Sequence, residues 1–187
     1  MDMWLASVGR SVNLLLDVPP DPSGRLDEAD VKGLVEFKRL REGFLNMSLL
    51  EGVAKELKLN VTASNVRGGD FGAYGPENVL DGNADTYWTM DDGKMTGWLE
   101  VDLGGEVGTV DAFIVQEHIA LGQRIGGYAV DVMVNGSYKT VVTGTSMGYK
   151  RIHAIAGGSA KVTKVRLRVT QANAVPVIQG LRVLGTR

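Results

Sequence analysis

The sequence contains no cysteine and only five prolines among its 187 residues. No disulfide or cysteine nucleophile can form, and a domain of this length, which buries roughly 70% of its surface, needs no disulfide to be stable. No run of about 18 apolar residues is present, so we predict no transmembrane segment. An acid, Asp2, stands where a secretory signal would carry Lys or Arg, so we expect no signal peptide in this chain.

Two motifs that would indicate other chemistry are also missing. The glycines at positions 68–75 are not followed by the Lys-Ser/Thr pair of a phosphate-binding loop and do not open a helix. No Gly-x-Ser-x-Gly motif occurs, which argues against acyl transfer through a serine nucleophile. We therefore predict neither a nucleotide nor a nucleic-acid partner.

Acidic residues are absent from Val132 to the C-terminus, whereas this stretch contains nine Lys or Arg residues. One interpretation is a basic face for acidic glycans or anionic lipid. The other is that strands distant in sequence pair in space and neutralise one another, and sandwich topologies favour this second interpretation. The alternating Lys164, Arg166 and Arg168 pose the same choice, between an anion site and the solvated face of an outer strand.

The 25 glycines, and helical patterns confined to the first third of the chain, favour a turn-rich β architecture. The Asn135-Gly136 pair between two alternating runs is a strong hairpin signal, because both turn positions favour positive φ. Short strands at this spacing predict a mainly β, antiparallel sandwich or jelly roll over residues 57–187. The predicted strands cover residues 58–63, 98–103, 110–115, 128–134, 138–142, 151–155, 162–169 and 177–184.

The first 50 residues have a different pattern. Residues 14–18 form an apolar run that ends at two prolines, which is typical of a strand buried on both faces. Asp27 is a good N-cap for a helix that we expect to end at Gly43. One strand and one helix cannot enclose a core, so residues 1–50 belong to something larger. The apolar stripe of the predicted helix consists of Val31, Leu34, Val35 and Leu40.

A candidate metal site lies in the segment between residues 81 and 86. Calcium prefers six to eight oxygen ligands, and a short glycine-containing loop can arrange them around one point. The candidate ligands are Asp81, Asn83, Asp85 and Thr86. The alternative is a set of Asx-turns without a metal.

Candidate sugar-binding residues lie in two other segments. Tyr74 stands between small residues that leave its ring open, and Glu117, His118 and Arg124 fall in a predicted polar loop. These polar groups can donate to and accept from sugar hydroxyls, although a lone loop histidine is often only solvated. Tyr87, Trp88 and Trp98 are predicted to be core residues rather than a sugar platform.

Three Asn-x-Ser/Thr sequons occur, at Asn46, Asn60 and Asn135. They predict N-glycosylation acceptors and point weakly to a secreted parent protein. Together with the missing signal peptide, they suggest that the chain is truncated at its N-terminus.

The second part of the chain resembles a discoidin-type module, the coagulation-factor type C domain that includes family 32 carbohydrate-binding modules. The resemblance lies in residues 78–82, 86–88, 98–104 and 178–184. It implies an eight-stranded jelly roll with ligand loops at one end and often a structural calcium. Related modules often add a carboxylate from the last strand, whereas Gln179 here offers only a carbonyl oxygen.

The first part resembles the last strand and helix of the catalytic barrel in plant α-L-fucosidases of glycoside hydrolase family 29. Residues 7–20, 23–24 and Asp30 carry this resemblance, which continues through residues 62–69, 116–124 and 148–151. It implies the C-terminal part of a secreted, apoplastic enzyme that removes terminal fucose from glycans. The missing barrel would then be a partner of this chain.

Such enzymes use an Asp nucleophile and a separate acid/base on earlier barrel strands, about 5 Å apart across the scissile bond. That part of the barrel lies N-terminal to anything present here, so we assign no catalytic residue and expect the chain alone not to cleave glycosides. We expect a non-catalytic module that binds fucosylated or cell-wall carbohydrate or has a structural role. The alternative is adhesion to anionic lipid or a cell surface.

Overall fold

The computed structural model describes residues 1–50 and 59–186. Its helices are α1 Asp2–Ala6, α2 Glu28–Leu45 and the single turn α3 Phe71–Tyr74, with 3-10 turns at Arg67–Gly69, Pro76–Leu80 and Ile119–Leu121. Its strands are β1 Val61–Ala63, β2 Trp88–Thr89, β3 Gly97–Glu117, β4 Ile125–Val134, β5 Ser137–Gly144, β6 Arg151–Ala172 and β7 Val177–Thr186. Leu57, where the predicted sandwich begins, and Lys58, where its first strand begins, lie outside the described residues.

All strand pairs in the described part of the chain are antiparallel, and the two long strands β3 and β6 organise them. The first half of β3 pairs with β1 and with the second half of β6, which continues to β4 and β5. The second half of β3 pairs with β7, which continues to β2. The register shifts in β3 between Asp102 and Val107, where Gly104 and Gly105 have φ of 75° and 148°.

Side chains from both halves meet in one core, which makes the sheet a sandwich. Trp88, Phe113, Leu167 and Ile178 come from four different strands and are all at most 1% exposed. The mainly β, antiparallel sandwich predicted from the sequence is therefore confirmed. Within the described residues no helix is long and apolar enough to cross a membrane.

The strand prediction differs from the structure mainly in number. Predicted strands 98–103 and 110–115 lie within β3, and 151–155 and 162–169 lie within β6. Bends within a strand break the hydrophobic alternation without ending the ladder, so the sequence pattern predicts two strands for each long one. The sequence pattern did not predict the short strand β2.

The predicted hairpin is confirmed: Asn135 and Gly136 have φ of 50° and 75°, and Val134 pairs with Ser137.

The predicted strand over residues 14–18 is wrong. These residues are irregular, and the Leu15 side chain is 93% exposed. A strand needs a neighbour for its backbone hydrogen bonds, and no described segment pairs with this one.

The predicted N-cap of the helix is confirmed, because Asp27 accepts a hydrogen bond from the Ala29 amide at 2.8 Å. The helix runs through Gly43 to Leu45, because one glycine costs a helix only about 1 kcal/mol.

The end of the first segment is joined to the sandwich. The Leu49 amide donates to Val183 O at 2.8 Å, and the Gly185 amide donates to Met47 O at 2.7 Å. Leu49 and Leu50 are 3% and 4% exposed within the main core. Residues 47–50, which the sequence pattern groups with the first segment, therefore pack with the second.

Candidate functional site

Three partly exposed rings form a continuous row, which we call the aromatic row: Tyr74, Tyr87 and His118. The ring centroids of Tyr74 and Tyr87 are 5.8 Å apart, and those of Tyr87 and His118 are 4.9 Å apart. Successive rings are tilted by 36° and 35°. The guanidinium of Arg67 lies 6.0 Å from the Tyr74 centroid and extends the row.

Local hydrogen bonds fix the two tyrosines relative to each other. Asp70 caps α3 by accepting from the Ala73 amide at 3.0 Å. The Asn78 side-chain amide donates to Ala73 O at 3.0 Å and to Tyr87 O at 3.1 Å, which ties the segments that carry the two rings. These hydrogen bonds therefore hold the backbone segments of Tyr74 and Tyr87 in a fixed arrangement.

The prediction that Tyr87 is a core residue is wrong, because the residue is partly exposed. Trp88 is fully buried, as predicted, and its indole N–H donates to Asn65 O at 3.0 Å. Adjacent residues in extended chain point to opposite sides, so burial of Trp88 turns Tyr87 outward. That alternation was the available signal.

Two of the predicted sugar-binding residues have structural contacts instead. Glu117 is the last residue of β3, not a loop residue, and it is 0% exposed. Its Oε1 accepts from the backbone amides of Arg124 and Ile125 at 2.6 and 3.0 Å. Because it is buried, Glu117 cannot face a surface ligand, and its predicted sugar contact is corrected accordingly.

The Arg124 side chain is also committed to the protein backbone. Its guanidinium donates to Leu121 O at 3.2 and 3.0 Å and to Val175 O at 2.9 Å. These bonds hold the turn after His118 in place. The structure thus brings Tyr74 and His118 together through Tyr87 and assigns Glu117 and Arg124 to the support of that loop.

The predicted metal loop is closed by its own hydrogen bonds. Asp81 accepts from the Asn83 amide at 2.7 Å and from the Thr86 hydroxyl at 2.6 Å, using both carboxylate oxygens. Asn83 Oδ1 accepts from the Asp85 amide at 3.0 Å. The described residues contain no group of three or more His, Cys, Asp or Glu side chains that could hold a metal ion. Calcium binding here therefore stays a prediction.

Three basic residues in the second half of β6 are paired with acids of neighbouring strands. Lys164 lies 3.3 Å from Asp102, and Arg166 lies 2.7 Å from Glu100. Arg168 pairs with Asp131, whose pKa burial would raise but the hydrogen bonds from Arg168 and Thr140 lower. This neutralisation across strands is the interpretation that the sandwich topology favoured. Arg166 also lies over two rings, at 4.7 Å from Trp98 and 3.9 Å from Tyr138.

The three sequon asparagines are exposed. Asn46 follows the end of α2, Asn60 precedes β1, and Asn135 lies in the β4–β5 turn. An attached glycan would not disturb the core at these positions. Glycosylation itself stays a prediction.

Comparisons with known proteins show what the chain resembles. It is 32% identical to α-L-fucosidase 1 of Arabidopsis thaliana over 154 residues, which are 81% of this chain and 29% of that protein. A Ruminococcus gnavus GH29 fucosidase solved in complex with fucose matches 100% of this chain and 36% of its own, at 31% identity and a TM-score of 0.85. The chain spans about a third of the length of the curated relatives it matches.

A third match shows the fold of the second part alone. A chitosan-binding module from a Paenibacillus sp. IK-5 chitosanase/glucanase covers 74% of this chain and 98% of its own, at 21% identity and a TM-score of 0.60. The family model for the F5/8 type C domain matches residues 60–179. Both resemblances noted in the sequence are confirmed, and the chain belongs to the F5/8 type C domain family.

Proposed function

We propose that the sandwich is a glycan-binding module whose ligand surface is the aromatic row. Sugar rings present C–H faces that pack against aromatic faces. The rings of the aromatic row are already partly fixed by their neighbours, so they lose little conformational entropy when a ligand binds. The observation that carries the proposal is the stack of Tyr74, Tyr87 and His118 beside the guanidinium of Arg67. The likeness to fucosidases and to a chitosan-binding module supports carbohydrate as the ligand class.

The test is binding to a glycan array that includes fucosylated and cell-wall oligosaccharides. Tyr87→Ala is expected to weaken binding at least tenfold, because it removes the central ring of the row. Tyr87→Phe is the matched control, since it keeps the ring and should retain most of the affinity. Equal binding by the alanine variant and the original chain would exclude the aromatic row as the ligand surface.

We also propose a structural calcium at the loop formed by Asp81, Asn83, Asp85 and Thr86. Oxygen donors suited to a hard cation are concentrated there, and Gln179 and Asn83 line the same cavity of about 280 Å³. The loop directly precedes Tyr87, so a bound ion would hold the row in place. The array repeated with EDTA tests this proposal, because loss of calcium should weaken glycan binding and lower the melting temperature together.

For the whole protein we propose an α-L-fucosidase of the secretory route, in which this chain supports the catalytic barrel or holds carbohydrate. The support is the likeness to plant and bacterial fucosidases and the exposed apolar side chains within residues 12–40, such as Leu15 and Val35. We propose that the chain alone is not catalytic. An aryl-fucoside assay on monodisperse material should show no turnover, and glycosidase-like rates would refute the proposal.

The same proposal makes residues 1–50 dependent on a barrel partner. Trypsin should cut first at Arg25 or within α2, both of which are exposed, and only later in the strands. Residues 1–50 that stay intact in a monomer under these conditions would contradict it.

Adhesion to anionic lipid is less well supported by the contacts of the basic strand. Lys164, Arg166 and Arg168 each pair with a carboxylate, so little uncompensated charge remains there for a membrane. Liposomes with anionic lipid at low salt provide the check, and binding that falls steeply as salt rises would revive this alternative.

A further inference from the structure

A second pocket, distinct from the aromatic row, lies where residues 9–10 cross the sandwich. Its volume is about 440 Å³, and its polar side chains come from Arg10, Arg151, His153, Tyr128, Thr143 and Thr145. We call it the arginine pocket. Small-molecule sites generally span roughly 300–1,000 Å³, so this one can hold more than a bare inorganic ion.

Backbone pairing fixes one wall of the pocket. The Ile152 amide donates to Gly9 O at 2.9 Å, and Arg10 and Arg151 form an antiparallel bridge. The two guanidinium-bearing residues therefore stand opposite each other on adjacent backbone segments. The Arg151 guanidinium is anchored by donating to Ser146 O at 3.0 Å and to Ser146 Oγ at 3.3 Å.

A buried tyrosine also lines the pocket. The Tyr128 hydroxyl lies 2.7 Å from His153 Nε2. A Cβ at position 144 would lie 2.3 Å from the Tyr128 ring, so Gly144 is needed for the ring to reach the histidine. Burial raises the pKa of Tyr128 to about 12, so the phenol keeps its proton and can donate it to the imidazole.

The pocket gathers positive charge without a counter-charge. Burial and the nearby charges of Arg151 and Arg10 lower the pKa of His153. None of the described residues that line the pocket is an Asp or Glu. This contrasts with Arg166 and Arg168 on the same strand, each of which has its own carboxylate partner.

We propose that the arginine pocket binds an organic oxyanion, a carboxylate or sulfate ester carried by a sugar. Two guanidinium groups offer charge-assisted donors to the anion, and the two threonines offer hydroxyls to the rest of the ligand. The prediction that the pocket binds an anion depends only on this geometry. The prediction that a sugar carries the anion rests on the proposed glycan-binding function. Nothing in the proposal requires the aromatic row.

The experiment is a calorimetric titration of the full chain with galacturonate, galactose and inorganic sulfate. Galacturonate is expected to bind at least tenfold more tightly than either of the other two. Equal affinity for galacturonate and sulfate would overturn the sugar assignment, and equal affinity for galacturonate and galactose would overturn the anion site.

Variants separate this pocket from other basic surface. Arg10→Gln should weaken galacturonate binding about tenfold or more, because it removes one of the two guanidinium groups of the pocket. Arg10 is exposed, so this substitution should leave the fold intact. Arg25→Gln is the matched control, an exposed arginine of the same segment outside the pocket, and should change nothing. Equal losses in both variants would show non-specific attraction and overturn the proposal.

The two binding proposals can fail separately. Tyr87→Ala should leave galacturonate affinity unchanged, whereas Arg10→Gln should leave binding of neutral glycans unchanged. Loss of galacturonate binding in Tyr87→Ala would place the anion at the aromatic row and overturn the second site.

Acid pH provides an independent readout for His153. The groups that face it are Arg151 on its own strand, Arg10, Tyr128, and Phe113 across the β3–β6 pair. Because the pKa of His153 is lowered, galacturonate affinity should rise only at pH values below the ordinary histidine value of about 6.5, where the imidazole gains a proton while the carboxylate stays ionised. His153→Gln should remove this rise, and an equal rise in the variant would exclude His153 from the site.

Discussion

The sandwich and residues 1–50 both carry apolar side chains in regular patterns, but the sandwich covers most of its own, whereas residues 12–40 leave most of theirs exposed. Trp88, Phe113 and Leu167 are almost completely buried, whereas α2 has no buried residue and Val35 is 63% exposed. Every described strand of the sandwich finds a partner within the chain, so its patterns are satisfied internally. The first segment has the pattern of a core element without the neighbours that would complete a core.

The largest expected effect is loss of a core ring from the sandwich. Trp88→Ala should lower the free energy of unfolding by about 3–5 kcal/mol, because it empties a fully buried site and removes a hydrogen bond to Asn65 O. Urea denaturation measures this change. Val35→Ala in α2 is the control, and a comparable loss there would mean that the two regions share one core.

The next effect concerns the loop that carries His118. Glu117→Ala should cost roughly 2–4 kcal/mol, because the backbone amides of Arg124 and Ile125, of which the second is buried, lose their acceptor. Glu117→Gln keeps an acceptor oxygen and should cost less. Hydrogen exchange at the two amides locates the change, and unaltered protection in the alanine variant would contradict the role given to Glu117.

A smaller effect depends on pH. Because the folded-state pKa of Asp131 lies below its unfolded value, its ion pair stabilises the protein above about pH 3.9. That contribution is lost as the pH falls through the folded pKa. Asp131→Asn should be less stable near neutrality and should show a flatter decline in acid. Urea midpoints from neutral to acid pH test this, with the exposed Glu106→Gln as a control that should follow the original curve.

The sequence correctly predicted those elements whose conformation depends on residues adjacent in the chain. The Asn135-Gly136 turn and the Asp27 cap depend on neighbouring residues, and the structure contains both. The strand over residues 14–18 failed because a strand also needs a partner, which the pattern of one segment cannot supply.

The candidate site was less accessible from sequence for the same reason. Tyr74, Tyr87 and His118 come from three segments, and only the folded sheet places their rings in a row. Strand pairing also explains why Glu117 was wrongly predicted to be an exposed loop residue. Its polar neighbours indicated a loop, yet the pairing of β3 with β7 extends to this residue and buries it.

The smallest expected effect tests whether the first segment contributes to stability at all. Leu15→Ser should leave the free energy of unfolding unchanged within error, because the side chain is already 93% exposed and loses no packing. It should instead reduce self-association, since an uncovered apolar surface favours contact between molecules. Sedimentation velocity over a concentration series measures that association. Destabilisation without a change in association would show that Leu15 already has a partner within the chain, and the contrast between the two regions would then be wrong.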